Sequence, residues 1–248
     1  MPYRIVRPSD VAPLPATDGL SPADAVSELI AFGGTPVIAF DLGGVLLRGG
    51  VLTSGSEAAA FNKLEQQFGL PAGPTSRMWH ELLRPSEIGE ISESTVWTML
   101  ASQVPGVDPS SVREAMLEMA SPIDEGIGAL KDIHDAGWRT ALATNHLDSW
   151  VKEWKARFDW FDYIDVVVVS SKIGLRKPDL GYYENLKSQL EVESPWFVDD
   201  RSENLVAARK SGLRVVWVDT SGRWFVNPDL EGPTAEEGGR KLPDSKAT

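Results

Sequence analysis

The 248-residue chain contains no cysteine. Disulfide cross-links and thiolate nucleophiles are therefore excluded, and the redox environment in which the protein works stays undetermined. Any covalent catalysis must use another side chain, such as a carboxylate or a hydroxyl.

Positive charge is scarce. The chain has 24 lysines and arginines against 36 aspartates and glutamates, for a formal net charge of −12. Such a field repels polyanions, so we expect neither nucleic acids nor anionic membrane surfaces as partners. An acidic protein can still bind a small phosphate, provided that a local cation or a metal ion supplies the positive charge.

Long apolar runs are also absent. No stretch is long enough to span a bilayer, and the N-terminus lacks the charged-then-apolar pattern of a signal peptide. We therefore expect a cytoplasmic protein, with its oligomeric state left open.

Short apolar runs alternate with amphipathic helical patterns through much of the chain. The runs are rich in Val, Ile, Ala, Leu and aromatic residues, as in strands buried on both faces; they are Pro36–Phe40, Arg139–Ala143, Asp165–Val169, Pro195–Val198 and Arg214–Val218. The helical patterns are Asp124–Ala136, Leu147–Arg157, Leu180–Leu190 and Ser202–Ser211. This alternation predicts an α/β fold, a doubly wound, Rossmann-like parallel sheet with helices on both faces.

The region between Val45 and about Pro122 contains no buried-strand pattern. It reads instead as four helices: Ser56–Phe68, Pro74–Leu83, Ser92–Gln103 and Pro109–Met119. Because the chain returns to the sheet afterwards, we predict an inserted helical cap; the alternative is an unrelated helical module. The predicted division is an N-terminal arm with a short helix (1–34), the core (35–50 and 121–222), the cap (51–120) and a disordered tail (223–248).

Polar residues follow the predicted strands directly. In open parallel sheets, ligands bind beyond the carboxyl ends of the strands, so these residues are expected to meet at one edge. They are Asp41 after the first strand, Thr144 and Asn145 after the second, Lys177 beyond the third, and Asp199 with Asp200 after the fourth.

These groups suit phosphoryl transfer. Asp41 can attack phosphorus as a nucleophile and form an aspartyl-phosphate. Attack on a phosphate dianion requires a cation, and Mg²⁺ bound by Asp41 and one of Asp199 and Asp200 meets that need. Lys177 would neutralise phosphate charge and keep Asp41 ionised.

The second strand end supplies hydrogen-bond donors. The Thr144 hydroxyl and the backbone N–H of Asn145 are expected to bind a phosphate oxygen, assisted by the helix that begins near Leu147. Each of these signals is common by itself; the agreement of four strand ends carries the prediction.

Taken in order, the motifs resemble those of the haloacid dehalogenase superfamily. The resemblance extends from about Pro36 to Val218, most of the chain. Its four motifs correspond here to FDLGGVL at Phe40–Leu46, LATN at Leu142–Asn145, the set Ser170, Gly174, Lys177 and Pro178, and FVDDRSEN at Phe197–Asn204. The helical insertion is similar to the small cap of the phosphatase branch.

The resemblance implies a Mg²⁺-dependent phosphatase that acts on a small phosphorylated metabolite. Asp41 would be the nucleophile, and the backbone carbonyl of Gly43 would join it as a metal ligand. Asp200 would be the usual direct ligand, whereas Asp199 would act in the outer shell or toward Lys177. Gly44 and Asn145 would bind the phosphate.

One position departs from the family pattern, because Gly43 stands where the general acid, an aspartate, is expected. Sugar-1-phosphatase-like branches that resemble this chain also carry DLG, so the change does not imply inactivity. General acid–base help contributes about 10²–10⁴ in rate. Two hypotheses follow: the enzyme prefers good leaving groups, such as anomeric or acyl phosphates, or the proton comes from His80, Glu87 or Glu90 of the cap.

Two rival functions remain open. A 2-haloacid dehalogenase would use Asp41 on carbon and would have no use for a metal, which the Asp199–Asp200 pair argues against. A phosphate-binding relative without turnover would keep the fold after losing the general acid.

Overall fold

The computed structural model describes residues 19–32, 36–49 and 57–226. Its six-stranded sheet has the order β5-β4-β1-β6-β7-β8, parallel except for the last pair. The strands are β1 Val37–Phe40, β2 Leu47–Arg48, β3 Ser121–Pro122, β4 Arg139–Thr144, β5 Val166–Val169, β6 Trp196–Asp199, β7 Arg214–Val218 and β8 Trp224–Val226. The predicted α/β class is confirmed.

The helices are α1 Pro22–Phe32, α2 Glu57–Phe68, α3 Ala72–Glu87, α4 Glu93–Ala101, α5 Pro109–Glu118, α6 Asp124–Asp135, α7 Asp148–Arg157, α8 Ser170–Ile173, α9 Leu180–Leu190 and α10 Ser202–Lys210. A short 3₁₀ helix covers Asp159–Tyr163. The five predicted core strands and four predicted core helices match these bounds to within one residue at each end.

Strand β1 lies in the middle of the sheet, and its side chains alternate between two apolar layers. Ile38 and Phe40 belong to one layer, and Val37 and Ala39 to the other. The register aligns Phe40 with Leu142 of β4 and with Val198 of β6. The carboxyl ends of the three strands therefore lie side by side, which brings the residues after them together.

Helices α2 to α5 occupy the region predicted as the cap. They lie between β2 and β3, which pair as a two-stranded antiparallel ribbon. Ser92, where the sequence predicted a helix to begin, caps α4, since its hydroxyl accepts from the Thr95 N–H at 3.1 Å. The division into core and cap stays a prediction, with corrections at two element boundaries.

The first correction concerns α3, which the sequence predicted to end at Leu83. The helix continues through Pro85 to Glu87. The Ser86 hydroxyl donates to the Leu83 carbonyl at 2.7 Å, and the Glu87 carboxylate is held by Arg176 from the core. A tertiary contact thus extends the helix past the point at which local sequence predicted its end.

The second correction concerns the predicted disordered tail, which was expected to begin at residue 223. Residues Trp224–Val226 form β8, which pairs with β7. Leu20 exchanges two backbone hydrogen bonds with Trp224, so this part of the predicted N-terminal arm is tied to the sheet. Residues 1–18 and 227–248 lie outside the described residues. No helix within the described ranges is both long enough and apolar enough to cross a membrane.

Candidate active site

Lys177 lies between two carboxylates at the carboxyl edge of the sheet. Its Nζ is 2.8 Å from Asp41 Oδ1 and 2.7 Å from Asp199 Oδ2. The lysine side chain is only 1% exposed, so the two ion pairs are nearly free of solvent screening. Burial opposes its charge, but the attraction of Asp199 and Asp41 outweighs burial and raises the pKa of Lys177. The site therefore holds a permanent cation beside Asp41.

Asp41 follows β1, and its backbone N–H donates to the Val198 carbonyl at 2.8 Å. Burial raises the pKa of Asp41 from 3.8 to about 6, against the attraction of Lys177. The carboxylate is ionised above that pH, as a nucleophile requires. Lys177 favours the ionised form as expected from the sequence, but it does not fully offset the cost of burial.

Asp199 is fully enclosed, and both of its oxygens accept hydrogen bonds from protein groups. The donors are Lys177 Nζ, the Arg201 backbone N–H at 2.8 Å, and Asn204 Nδ2 at 3.0 Å to each oxygen. A carboxylate so fully engaged is suited to holding Lys177 in place.

Asp200, the next residue, has different surroundings. Its Oδ1 is buried and accepts no hydrogen bond. Burial, then the charges of Asp199 and Asp41, raise the pKa of Asp200 to about 8. A buried carboxylate oxygen without a donor is costly unless a cation satisfies it.

The loop at Gly44 leaves room for Asp200. Gly44 has a φ of +76°, and a Cβ at that position would lie 2.3 Å from Asp200 Oδ2. Only glycine accommodates both the left-handed backbone and the approaching carboxylate. Gly43, in the same turn, forms a bridge with Leu47.

The acidic residues form a cluster that fits a divalent metal ion. Ligand atoms of Asp41, Asp199 and Asp200 lie within 4.8 Å of one another. Oxygen donors are the ligands that Mg²⁺ prefers, and the donor-free oxygen of Asp200 is the one that still needs a positive partner. Because Asp199 is satisfied by protein donors, Asp200 and Asp41 are the fitting side-chain ligands.

Thr144 ends β4 and is buried at the same edge of the sheet. Asn145 follows it, and its side chain binds the backbone of Lys177 at both polar groups. Asn145 Nδ2 donates to the Lys177 carbonyl, and Asn145 Oδ1 accepts from the Lys177 N–H, each at 2.8 Å. This side-chain role was not anticipated from the sequence.

Of the three cap groups considered as proton donors, Glu87 is the one that contacts the core beside Lys177. Arg176 Nε donates to Glu87 Oε2 at 2.9 Å, and Arg176 Nη2 forms an ion pair with the same oxygen at 2.8 Å. Burial raises the pKa of Glu87 to about 7, although Arg176 opposes this rise. Glu90 is exposed, and His80 is half exposed and 3.5 Å from Glu57.

The predicted residues after β1, β4, β5 and β6 thus meet at one edge of the sheet. Sequence reasoning missed the supporting residues Asn204 and Arg176 and the side chain of Asn145. A signal existed for Asn204, because an amide in the first turn of the helix after an acidic pair can face back toward that pair. No comparable signal pairs Arg176 with Glu87, since 89 residues separate them.

The sequence matches the haloacid dehalogenase-like hydrolase family over residues 38–218. A phosphatase of Mycobacterium tuberculosis is 27% identical over 187 residues, covering 71% of this chain and 86% of the relative. A sesquiterpene phosphatase of Aspergillus oryzae is 26% identical over 143 residues, covering 56% of this chain and 70% of the relative.

Solved structures share the fold. A HAD family enzyme of Bacteroides thetaiotaomicron, in complex with magnesium and inorganic phosphate, superposes with a TM-score of 0.61 at 16% identity, over 74% of this chain and 94% of that one. An L-2-haloacid dehalogenase of Xanthobacter autotrophicus gives 0.55 at 16% identity, over 75% and 78%. The fold is therefore common to phosphate-binding and dehalogenating proteins, and the side chains at the strand ends must separate the two chemistries.

Proposed function

The chain belongs to the haloacid dehalogenase-like hydrolases, and within that family we propose that it is a Mg²⁺-dependent phosphatase of a small phosphorylated metabolite. The observation that carries this proposal is the buried, donor-free oxygen of Asp200 within a cluster of three carboxylates. Those acids repel one another, and the attraction of Arg201 and Lys177 still leaves the pKa of Asp200 at about 8, mainly because the group is buried. A divalent cation would satisfy the oxygen and favour ionisation of Asp200 and Asp41.

Asp41 is the proposed nucleophile. One of its oxygens attacks phosphorus, the bond to the leaving alcohol breaks, and an aspartyl-phosphate forms. Water then attacks this intermediate, releasing phosphate and restoring the carboxylate. Lys177 keeps one oxygen of Asp41 oriented and adds positive charge beside the phosphoryl group.

The metal would be held by Asp41, Asp200 and the Gly43 carbonyl, and it would neutralise charge on the phosphoryl oxygens. Asp199 acts through Lys177, which it holds in place. The Thr144 hydroxyl and the backbone N–H of Asn145 are the proposed phosphate donors, and Gly44, whose turn lies against Asp200, is proposed to contact the phosphate as well.

Glu87 is the proposed source of the proton that Gly43 cannot supply. It is buried, its pKa is about 7, and it contacts Arg176 directly before Lys177. An acid that titrates near the working pH is well matched to protonating a leaving alcohol. His80 and Glu90 are more exposed and have no comparable contact with the core.

The cluster also argues against the dehalogenase function. Displacement of a halide by Asp41 needs no metal, whereas Asp41 and Asp200, whose pKa values are both raised within a cluster of three close carboxylates, are stable as anions only beside additional positive charge. The same cluster is compatible with a phosphate-binding protein without turnover, which the following experiment distinguishes.

The test is phosphate release from sugar phosphates, acyl phosphates and p-nitrophenyl phosphate, with Mg²⁺ and with a chelator. We expect release that needs Mg²⁺ and falls by at least about 10³-fold in Asp41→Asn, because that variant lacks the nucleophile. Phosphate binding without release would identify the inactive relative. Chelator-resistant halide release from a 2-haloacid would identify the dehalogenase.

The role of Glu87 is tested in the same assay by comparing leaving groups. Glu87→Gln should slow hydrolysis of alkyl phosphates by about 10²-fold, since their leaving group needs a proton. It should leave p-nitrophenyl phosphate, whose leaving group needs none, much less affected. Glu90→Gln is the matched control; equal losses on both substrate types in Glu87→Gln would rule out Glu87 as the acid.

A further inference from the structure

Glu93, the first residue of α4 in the cap, accepts hydrogen bonds from both sides of the boundary between cap and core. From the cap, Arg113 Nε donates to its Oε1 at 2.6 Å and Trp97 Nε1 at 3.1 Å. From α7 of the core, Trp150 Nε1 donates to Oε1 at 2.8 Å, and the Ser149 hydroxyl donates to Oε2.

These bonds stabilise the charged form of Glu93. Burial opposes ionisation, but the hydrogen bonds from Ser149, Arg113 and Trp97 outweigh it and hold the pKa of Glu93 below its usual value. A charged acceptor makes stronger hydrogen bonds than a neutral one, so the link from the cap to α7 is strong.

A stack of indole rings lies beside this carboxylate. Trp79 and Trp97 of the cap pack against Trp150 of α7, with ring centroids 6.0 Å and 5.3 Å from it. All three side chains are at most 3% exposed. Parting the cap from α7 would expose large apolar rings and break the hydrogen bonds that Trp150 and Ser149 donate to Glu93, both of which are costly.

From α7 the contacts continue to the loop that carries Thr144 and Asn145. The imidazole of His146 packs on Trp150 at 4.9 Å and on Trp154 at 4.8 Å. The His146 backbone N–H donates to the Ser170 hydroxyl at 3.0 Å. The preceding residue, Asn145, clamps the backbone of Lys177.

We propose that Glu93 is a positioning residue that, from the cap, fixes the first turn of α7 and so aligns the loop carrying Thr144 and Asn145. It does not touch the reacting atoms; it acts through Ser149 and Trp150. As far as it concerns catalysis, the inference rests on the proposed phosphatase function. The cap would then help to organise the site in the core as well as cover that site.

The test combines kinetics with nuclear magnetic resonance of Glu93→Gln. The protein has nine tryptophans, and their indole N–H signals report directly on hydrogen bonds such as those to Glu93. The chemical shifts of the Trp97 and Trp150 signals should change. The backbone amide signals of residues 144–146 should move with them. In an active enzyme, kcat should fall by about 10- to 100-fold with little change in KM, because misalignment penalises the transition state most.

Glu153→Gln is the matched control. Glu153 lies on α7, as do the donors Ser149 and Trp150, and it accepts from the same Arg113 at 3.3 Å, but its side chain is 43% exposed. We expect it to leave the amide signals of residues 144–146 and kcat as in the wild type. Ser149→Ala, which removes one donor to Glu93, should have the same effect to a smaller degree. It replaces Glu93→Gln as the test if Glu93→Gln does not fold.

Unmoved amide signals at residues 144–146 in Glu93→Gln, or moved signals with an unchanged kcat in an active wild type, would overturn the inference. Should the wild type show no turnover at all, the proposed function fails, and the amide signals alone still decide the role of Glu93.

Discussion

Asp199 and Asp200 are adjacent in the sequence and belong to the same carboxylate cluster, but the hydrogen bonds that their side chains accept differ. Asp199 is saturated by protein donors and pairs with Lys177, whereas Asp200 keeps a buried oxygen without a donor. One carboxylate at the end of β6 pairs with the buried lysine, and the other keeps an oxygen that a cation could satisfy. In the proposed function, Asp199 therefore holds the site and Asp200 binds the metal.

This division predicts opposite effects of two matched substitutions. Asp199→Asn should lower the free energy of unfolding by about 3–5 kcal/mol, because it leaves the buried Lys177 with one partner fewer. Asp200→Asn should keep the metal-free stability at or above the wild-type level, since it removes a carboxylate that burial disfavours, but it should abolish Mg²⁺ binding. Urea unfolding and calorimetric Mg²⁺ titration measure the two quantities. Equal stability losses in the two variants would contradict the assignment.

The raised pKa of Glu87 predicts that the stability of the protein depends on pH. Its pKa rises from 4.5 to about 7 in the folded protein, mainly through burial. The folded state thus holds the proton more tightly than the unfolded state, so the contribution of this group to stability is complete below pH 4.5 and is lost as the pH rises to 7. The stability of the wild type relative to Glu87→Gln should fall across that range.

Denaturant unfolding of both proteins between pH 5 and about 8 measures this difference. If the stability of the wild type relative to Glu87→Gln increased with pH, the ion pair with Arg176 would outweigh burial. The direction assigned to the pKa shift of Glu87 would then be wrong.

At the scale of elements, β8 shows how a short segment becomes ordered by its neighbours. Trp224 is 1% exposed, its ring lies 6.3 Å from that of Phe40, and its backbone pairs with Leu20 on one side and Val218 on the other. Three residues with two ladder partners and a buried indole are stabilised far beyond their local strand propensity.

Trp224→Ala should therefore lower the free energy of unfolding by about 3–5 kcal/mol. Arg223→Ala, at the exposed neighbouring position, should change it by less than about 0.5 kcal/mol. Thermal or urea unfolding compares the two variants. A small effect of Trp224→Ala would mean that β8 adds little to the stability of the sheet.

At the scale of the whole molecule, cap and core share one body of buried apolar side chains. The cluster that includes Phe40 of the sheet also includes Leu64, Trp79, Leu100 and Val112 of the cap helices. Parting the cap from the core would therefore expose apolar side chains of this cluster and break the Glu93 and Glu87 contacts.

Cap and core should consequently unfold together. Tryptophan fluorescence, to which Trp79, Trp97 and Trp150 at the boundary contribute, and far-ultraviolet circular dichroism, which reports on all helices, should give coincident thermal transitions. A fluorescence transition that clearly precedes the loss of helix would show instead that the cap separates first.

Much of this architecture can be predicted from the sequence, and the reason is periodicity. The continuous apolar runs at β1, β4, β5, β6 and β7 identify buried strands, and their alternation with helices requires a parallel sheet. Since parallel strands end at a common edge, Asp41, Thr144, Lys177 and the Asp199–Asp200 pair could be assigned to one site without coordinates. Local signals such as Ser92 also marked the start of a helix correctly.

Only the tertiary structure decided what depends on contacts between distant residues. The extension of α3 to Glu87, the strand at Trp224, the Asn145–Lys177 clamp and the Glu93 contacts all join segments whose meeting has no local signature. The difference between the surroundings of Asp199 and Asp200 was also decided by the tertiary structure, because the fold determines which hydrogen-bond donors lie near each carboxylate. Periodicity is a property of neighbouring residues along the chain, whereas burial and pairing are set by the whole fold.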